Sequence, residues 1–382
     1  MELMPVVSVL VVDDSVVVRR LIVDALTGAP DVEVVGTAAN GRIAQQKIDQ
    51  LRPDVVTMDI EMPEMDGIEA VKELRKRHPR LPVIMFSTLS SAGAAATLDA
   101  LAAGATDYVT KPANVGSVRE SIAAVREQLV PKIHALGRRR PGAPVRPPTP
   151  GLAARPGLSA PPAPLRPAGV TAAPALTQPV APLPGGGRVE LLAIGSSTGG
   201  PDALAHLFQA LPTSLPVPVV VTQHMPPVFT KMFAERLNRT TPLTVVEAED
   251  GMPLRVGTVY VAPGDRHLVL RRRGTDVSTE LSSAPPENSC RPAVDVMFRS
   301  VRALYGKSVL AVVLTGMGYD GREGARDLKG AGATVVAQDE QSSVVWGMPG
   351  AVAQAGLADA VLPLDQIPAA LLARLGGRTV GV

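Results

Sequence analysis

Between Gly137 and Gly187 the chain runs through a stretch dominated by Pro and Ala, with no acidic residue and no apolar periodicity. Such a segment buries too little surface to offset the entropy of ordering it, so it reads as an extended, partly polyproline-like tether. It divides the 382 residues into two parts, each long enough for its own core. The sequence places a first domain at 5–130, the tether at 137–187 and a second domain at 188–378. Arg138, Arg139, Arg140, Arg146, Arg155, Arg166 and Arg188 lie in or beside the tether, where solvation is the simplest role for them.

Composition removes several function classes. Apolar residues make up 46 % of the chain, yet no uninterrupted apolar run approaches the roughly 18 to 20 residues that span a bilayer. The first residues lack the basic region and cleavage site of a secretory signal, so a soluble, cytoplasmic protein is expected. A net charge of +2 leaves no nucleic-acid footprint. The single cysteine, Cys290, forms no internal disulfide, fits a reducing compartment, and has no flanking residue that suggests an activated thiol.

In the first part, short β-rich runs recur at regular intervals: SVLVVDD (8–14), VEVVGTA (32–38), DVVTMDIEMP (54–63), LPVIMFST (81–88) and ATDYVTKP (105–112). Helical patterns such as VVVRRLIVDAL and GIEAVKELRKR separate them, which predicts a doubly wound parallel sheet with functional groups beyond the strand ends. Those groups are Asp13, Asp14, Asp59, Ser87 and Lys111. Converging carboxylates repel unless a hard cation such as Mg²⁺ lies between them, and a carboxylate beside such a cation can accept a phosphoryl group.

VVDDS, MDIEMPEMDG, FST and TKP, in that order, resemble the receiver domain of bacterial response regulators, a (βα)5 fold, over about residues 5–130. The resemblance implies that Asp59 is the phosphoacceptor and that Asp13, Asp14, Asp59 and the main-chain carbonyl of Glu61 hold Mg²⁺. It further implies that Ser87 and Lys111 contact the phosphoryl group, that Tyr108 is the switch aromatic, and that Lys111-Pro112 is a cis bond.

The second part alternates again. VELLAIG, VPVVVTQH, SVLAVVLTG and ATVVAQD read as strands, and PDALAHLFQAL, VFTKMFAERLNRT, VDVMFRSVRALYG and GREGARDLKGAG as helices. TVYVAPGDRHLVL reads as two short strands around a Pro-Gly turn, and the whole as a mainly parallel, doubly wound α/β domain. Three strand ends carry chemistry: Ser197 inside Gly195-Ser196-Ser197-Thr198-Gly199, His224, and Asp320. Nucleophile, base and carboxylate is the set that activates a hydroxyl, and G-x-S-x-G is the turn that presents one. Ser196 is expected to be structural. His267 is the one competing base, whereas His78, His134 and His206 lie in or beside helical patterns as surface or packing residues. A dinucleotide loop is disfavoured because the next strand ends in Gln223-His224 and not in an acid. The order Ser, His, Asp also departs from that of ordinary α/β-hydrolases.

IGSSTGGP, VVTQHMP, YVAPGDRHL, RPAVDVMF, VLTGMGYDG and VVWGMPGAV, spread over about 189–370, resemble the catalytic domain of the chemotaxis protein-glutamate methylesterases, the CheB family. The resemblance implies Ser197 as nucleophile, His224 as general base and Asp320 as orienting acid, with the main-chain N–H groups of Thr198 and Met317 holding the oxyanion. It implies a monomeric, phosphorylation-activated hydrolase of glutamate γ-methyl esters on chemoreceptor cytoplasmic helices that also deamidates receptor glutamines. The ester chemistry needs no cofactor, and a histidine kinase is the phosphodonor. The tether is long for this family, and a long tether lowers effective concentration, so weak blocking of the cleft by an unphosphorylated receiver is expected.

Overall fold

A computed structural model describes residues 6–112, 117–137, 183 and 187–376; most of the tether read at 137–187 lies outside the described residues. In the first domain β1 (Val7–Val12), α1 (Val16–Leu26), β2 (Val32–Ala38), α2 (Gly41–Leu51), β3 (Val55–Asp59), α3 (Gly67–Arg77), β4 (Val83–Ser87), α4 (Ser91–Ala102), β5 (Asp107–Thr110) and α5 (Val118–Gly137) alternate along the chain. Helix starts are written in the sequence: Ser15, Asn40, Asp66 and Ser90 each accept the backbone N–H three residues on. The strand order is β2-β1-β3-β4-β5, with every pairing parallel. α5 runs past the boundary read at 130, because Ile133 and Leu136 continue the buried stripe of Val125 and Leu129.

The second domain contains β6 (Leu191–Ser196), α6 (Gly200–Gln209), β7 (Val219–Gln223), α7 (Phe229–Thr240), β8 (Thr244–Glu247), β9 (Thr258–Val261), β10 (His267–Arg273), β11 (Asp276–Ser282) and α8 (Val294–Tyr305). β12 (Val309–Val313), α9 (Arg322–Gly330), β13 (Thr334–Gln338), α10 (Met348–Gln354), β14 (Ala360–Leu362) and α11 (Ile367–Arg374) follow. Seven strands form one parallel sheet in the order β14-β13-β12-β6-β7-β9-β8. Every residue of β6, β7, β12 and β13 is buried, as strands covered by helices on both faces require.

The two short strands read in TVYVAPGDRHLVL are β9, which joins the parallel sheet, and β10, which forms a separate antiparallel hairpin with β11. One expectation is corrected. Among the described residues the cis peptide bond is Arg291-Pro292, not Lys111-Pro112.

The two domains are in contact. α4 packs on α6 and α7, the Tyr108 ring stacks on Phe229 with centroids 4.8 Å apart and planes 5° apart, and Arg236 pairs with Asp99.

β6 lies between β12 and β7, so Val313, Gly195 and Thr222 sit side by side across three strands. α8 packs tightly on Gly195: a Cβ there would lie 2.4 Å from Cγ1 of the buried Val294. We therefore expect Gly195→Ala to displace the start of α8 and to cost about 1–3 kcal/mol of stability. Chemical denaturation of the full chain checks this, and an unchanged midpoint would show that α8 yields without cost.

Candidate active site

The strand order reverses at β6, so the loops after β6, β7 and β12 open onto one rim. Ser197 follows β6, His224 follows β7, and Asp320 lies in the loop between β12 and α9. Gly199, at φ 77°, closes the turn after Ser197 in a left-handed conformation that a side chain would strain, and Pro201 stands in the first turn of α6. Ser196 is buried and donates to Gln223 Oε1 at 2.7 Å. Gln223 Nε2 in turn donates to the carbonyls of Ser197 (3.0 Å) and His224 (3.2 Å), which ties the first two loops together.

His224 Nε2 and Asp320 Oδ2 are 2.8 Å apart. Asp320 is buried, and its carboxylate also accepts from the backbone N–H groups of Val294 (2.6 Å), Asp295 (3.1 Å) and Gly321 (3.0 Å) and from Asn288 Nδ2 (2.9 Å). Burial opposes its charge, but the hydrogen bonds and the His224 ring outweigh that and hold its pKa down to about 2. Burial likewise opposes protonation of His224; its contacts with Asp320 and Cys290 prevail and raise its proton affinity above that of a free histidine. Ser197, Thr198, His224 and Met317 line one cleft of about 2270 Å³.

The sequence reading did not identify three neighbours of this site. Cys290 Sγ is 3.5 Å from His224 Nδ1, although nothing beside it in sequence sets it apart. Asn288 donates to both Asp320 and Asp295, and Asp295 is a second buried carboxyl. The one available signal was that Asp295 falls inside RPAVDVMF, close to Cys290. His267 is not a competing base: it begins β10, is fully buried, and has Nδ1 against Ala293 N at 3.1 Å and Nε2 against Pro285 O at 3.1 Å.

The first domain forms the other wall of the cleft. Thr198 Oγ1 donates to Asp107 Oδ2 at 2.7 Å, and Lys132 Nζ binds the same oxygen at 2.6 Å and the Tyr108 carbonyl at 2.9 Å. Tyr108 faces Phe229 of the second domain, not the acidic cluster.

That cluster sits at the ends of β1 and β3. Carboxylate oxygens of Asp13, Asp14 and Asp59 lie within 4.8 Å of one another, and Lys111 Nζ is 2.7 Å from Asp59 and 3.5 Å from Asp13. Burial, with the Asp59 charge added, pushes Asp13 up to about 6. Burial also raises Asp59, and the ion pairs raise Lys111 against the effect of burial. Asp13 Oδ2 is buried and accepts no hydrogen bond, and three carboxylates around such an oxygen suit a hard divalent cation. Glu61 is exposed just beyond β3. Ser87 is buried, its hydroxyl engaged by Thr97 Oγ1 at 2.6 Å and Gly93 O at 3.1 Å.

A family model described as CheB methylesterase matches residues 192–371, and one described as response regulator receiver domain matches residues 9–123. A protein-glutamate methylesterase/protein-glutamine glutaminase of Nocardioides sp. is 57% identical over 374 residues, covering 97% of this chain and 96% of that protein. The protein of the same description from Trichodesmium erythraeum is 46% identical over 373 residues, covering 98% and 100%. The crystal structure of the Thermotoga maritima CheB methylesterase catalytic domain has 47% identity and a TM-score of 0.47, and covers 48% of this chain and 97% of that one.

The 2.8 Å contact between His224 and Asp320 predicts a direction for the pH profile. A carboxylate beside the ring stabilises imidazolium, so the acidic limb of kcat/KM should lie above the ordinary histidine range. We expect Asp320→Asn to lower kcat roughly 10²- to 10⁴-fold and to move that limb to lower pH. A residual activity whose limb stays in place would break the link between the two residues.

Proposed function

The chain belongs to the CheB methylesterase family, with a receiver domain ahead of the catalytic one, and we propose how its residues carry out the family's work. Its activity is that of a protein-glutamate methylesterase and protein-glutamine glutaminase under phosphorylation control in chemotaxis. The observation that carries the assignment of residues is the His224–Asp320 pair, set at the same rim as Ser197.

In this reading Asp320 engages Nε2 of His224, and Nδ1, which has Cys290 Sγ 3.5 Å away, takes the proton of the Ser197 hydroxyl as its oxygen attacks the γ-carbonyl of a methylated glutamate. Negative charge developing on the carbonyl oxygen is held by the main-chain N–H groups of Thr198 and Met317. The His224 proton then passes to the departing methoxide, releasing methanol and leaving an acyl-enzyme on Ser197. Water, deprotonated by His224, attacks that ester to regenerate Ser197 and yield glutamate. A glutamine side chain follows the same route, with ammonia as the leaving group. The substrates are the cytoplasmic helices of methyl-accepting chemoreceptors. Among the described residues no helix is long and apolar enough to cross a membrane, and we place the protein in the cytoplasm as a monomer, with its domains at 5–130 and 188–378.

Asp59 is the phosphoacceptor in this reading, and a chemotaxis histidine kinase the donor. Asp13, Asp14 and Asp59, with the Glu61 carbonyl, would hold Mg²⁺, which supplies charge neutralisation for the phosphoryl oxygens. Ser87 and Lys111 would contact the group once attached. Lys111 directly follows β5, and Asp107 and Tyr108 open that strand, so a change at Lys111 is passed along four residues to the contacts that close the cleft. Those contacts, more than the tether, set the strength of the block.

Methanol release from methylated chemoreceptor membranes by the full chain, with and without Mg²⁺ and a small phosphodonor, tests the assignment. Release should vanish in Ser197→Ala and lose phosphodonor stimulation in Asp59→Asn; full activity in Ser197→Ala would end it. Asp107→Ala removes a charge-assisted hydrogen bond from Thr198. It should raise the unstimulated rate roughly tenfold, the equivalent of about 1.4 kcal/mol, while the stimulated rate stays unchanged. An unstimulated rate equal to wild type would mean that the block lies elsewhere.

A further inference from the structure

Behind the His224–Asp320 pair lies a second buried carboxyl, Asp295, and one side chain touches both acids. Asn288 Nδ2 is 2.9 Å from Asp320 Oδ1 and 2.9 Å from Asp295 Oδ2, so its two N–H groups are shared one to each. We propose that Asn288 is a positioning residue for the hydrolysis: its amide bridges Asp295 and Asp320 and fixes the Asp320 carboxylate against His224. The inference rests on the Ser197, His224 and Asp320 reading above.

Three features of the site carry it. First, the donors are unequal. Asp320 accepts five hydrogen bonds, from His224, Asn288 and three backbone N–H groups, whereas Asp295 accepts from Asn288 and from Gly324 N at 2.6 Å. The negative charge therefore settles on Asp320. Burial, with the Asp320 charge added, pushes Asp295 up to about 6. Without the amide between them, two buried carboxyls would face each other with no donor to separate their oxygens.

Second, the backbone is bent to deliver this amide. Asn288 and Ser289 have φ values of 51° and 61°, two consecutive left-handed residues without glycine, a strained arrangement. Asn tolerates that region better than most residues. Third, the same turn carries Cys290 to His224 Nδ1, so one short segment touches both members of the pair.

Charged groups around this position are Asp295 and Arg299 of α8, Asp320 after β12, His224 after β7 and the adjacent Glu287. Arg299 is already engaged by Glu287 at 2.9 Å. Among the described residues the cations beside it, Arg299 and His224, are already engaged by Glu287 and Asp320, so a carboxyl introduced at 288 would face two acids. It would donate a hydrogen bond while protonated and repel Asp320 once ionised.

The test is methanol release by the phosphodonor-stimulated full chain, expressed as the ratio of each variant to wild type from pH 6 to 9, with Ser197→Ala run in parallel. Asn288→Ala should lower kcat roughly 10- to 100-fold, with KM within about twofold of wild type, since the amide touches no substrate. The isosteric Asn288→Asp should be closest to wild type at pH 6 and should lose ground steadily as pH rises, whereas the Asn288→Ala deficit should be flat. If Asn288→Ala fails to fold, the slope of the Asn288→Asp ratio decides alone. An Asn288→Ala kcat within twofold of wild type, a loss confined to KM, or an Asn288→Asp profile parallel to wild type overturns the proposal. Loss of activity in Ser197→Ala beside any of these results leaves the nucleophile assignment standing; full activity in Ser197→Ala overturns that assignment and the proposal with it.

Discussion

In each sheet the chain lays its first strand in the interior and then builds outward to both sides, so the loops leaving β1 and β6 part in opposite directions from those of their neighbours. A crevice must open at such a place, because no helix can cover the strand ends where the crossovers diverge. Asp13 and Asp59 end adjacent strands at one crevice, and Ser197, His224 and Asp320 gather at the other. Residues more than a hundred positions apart meet because parallel pairing aligns the ends of their strands. Side-chain chemistry then needs only short loops to complete it.

Both crevices collect negative charge, and the fold handles it differently in each. Asp320 is stabilised by backbone: Val294 and Asp295 open α8, and their N–H groups point at its carboxylate, so the positive end of that helix faces the buried anion. This supply is fixed and does not titrate. At the acidic cluster, the sole cation in contact with Asp13 and Asp59 among the described residues is Lys111, and Asp13 Oδ2, 3.5 Å from its ammonium, accepts no hydrogen bond. The first arrangement favours a permanent anion, which suits the orienting role proposed for Asp320. The second leaves carboxylates whose charge is incompletely met, which is the state that a cation and a phosphoryl group can change.

The α/β alternation and the positions of Ser197, His224 and Asp320 in loops after strands were legible in the sequence because buried parallel strands are continuous apolar runs whose ends are marked by polar residues. β8 and β14 are four and three residues long, too short to stand out from their loops. β9 and β10 were legible as strands on either side of Pro263-Gly264, but their partners were not: β9 lies between β7 and β8 in the parallel sheet, and β10 pairs with β11. His267 stood as a competing base because it follows Asp265 in a turn; it is structural because it opens β10 with both ring nitrogens engaged by backbone. Asn288, Cys290 and Asp107 carried no signal. Their partners are 32, 66 and 91 residues away, and no periodicity reports a contact made by a loop.

Contacts between the two domains bear on how the two crevices communicate. The catalytic cleft meets the receiver through surface contacts: the Thr198–Asp107 hydrogen bond, the Tyr108–Phe229 stack and the packing of α4 on α6 and α7. Two of these originate in β5, the strand that ends next to Lys111. A switch built in this way needs no large motion within the receiver. A shift of a few kcal/mol in contacts along one short strand is enough to exchange a docked population for an open one.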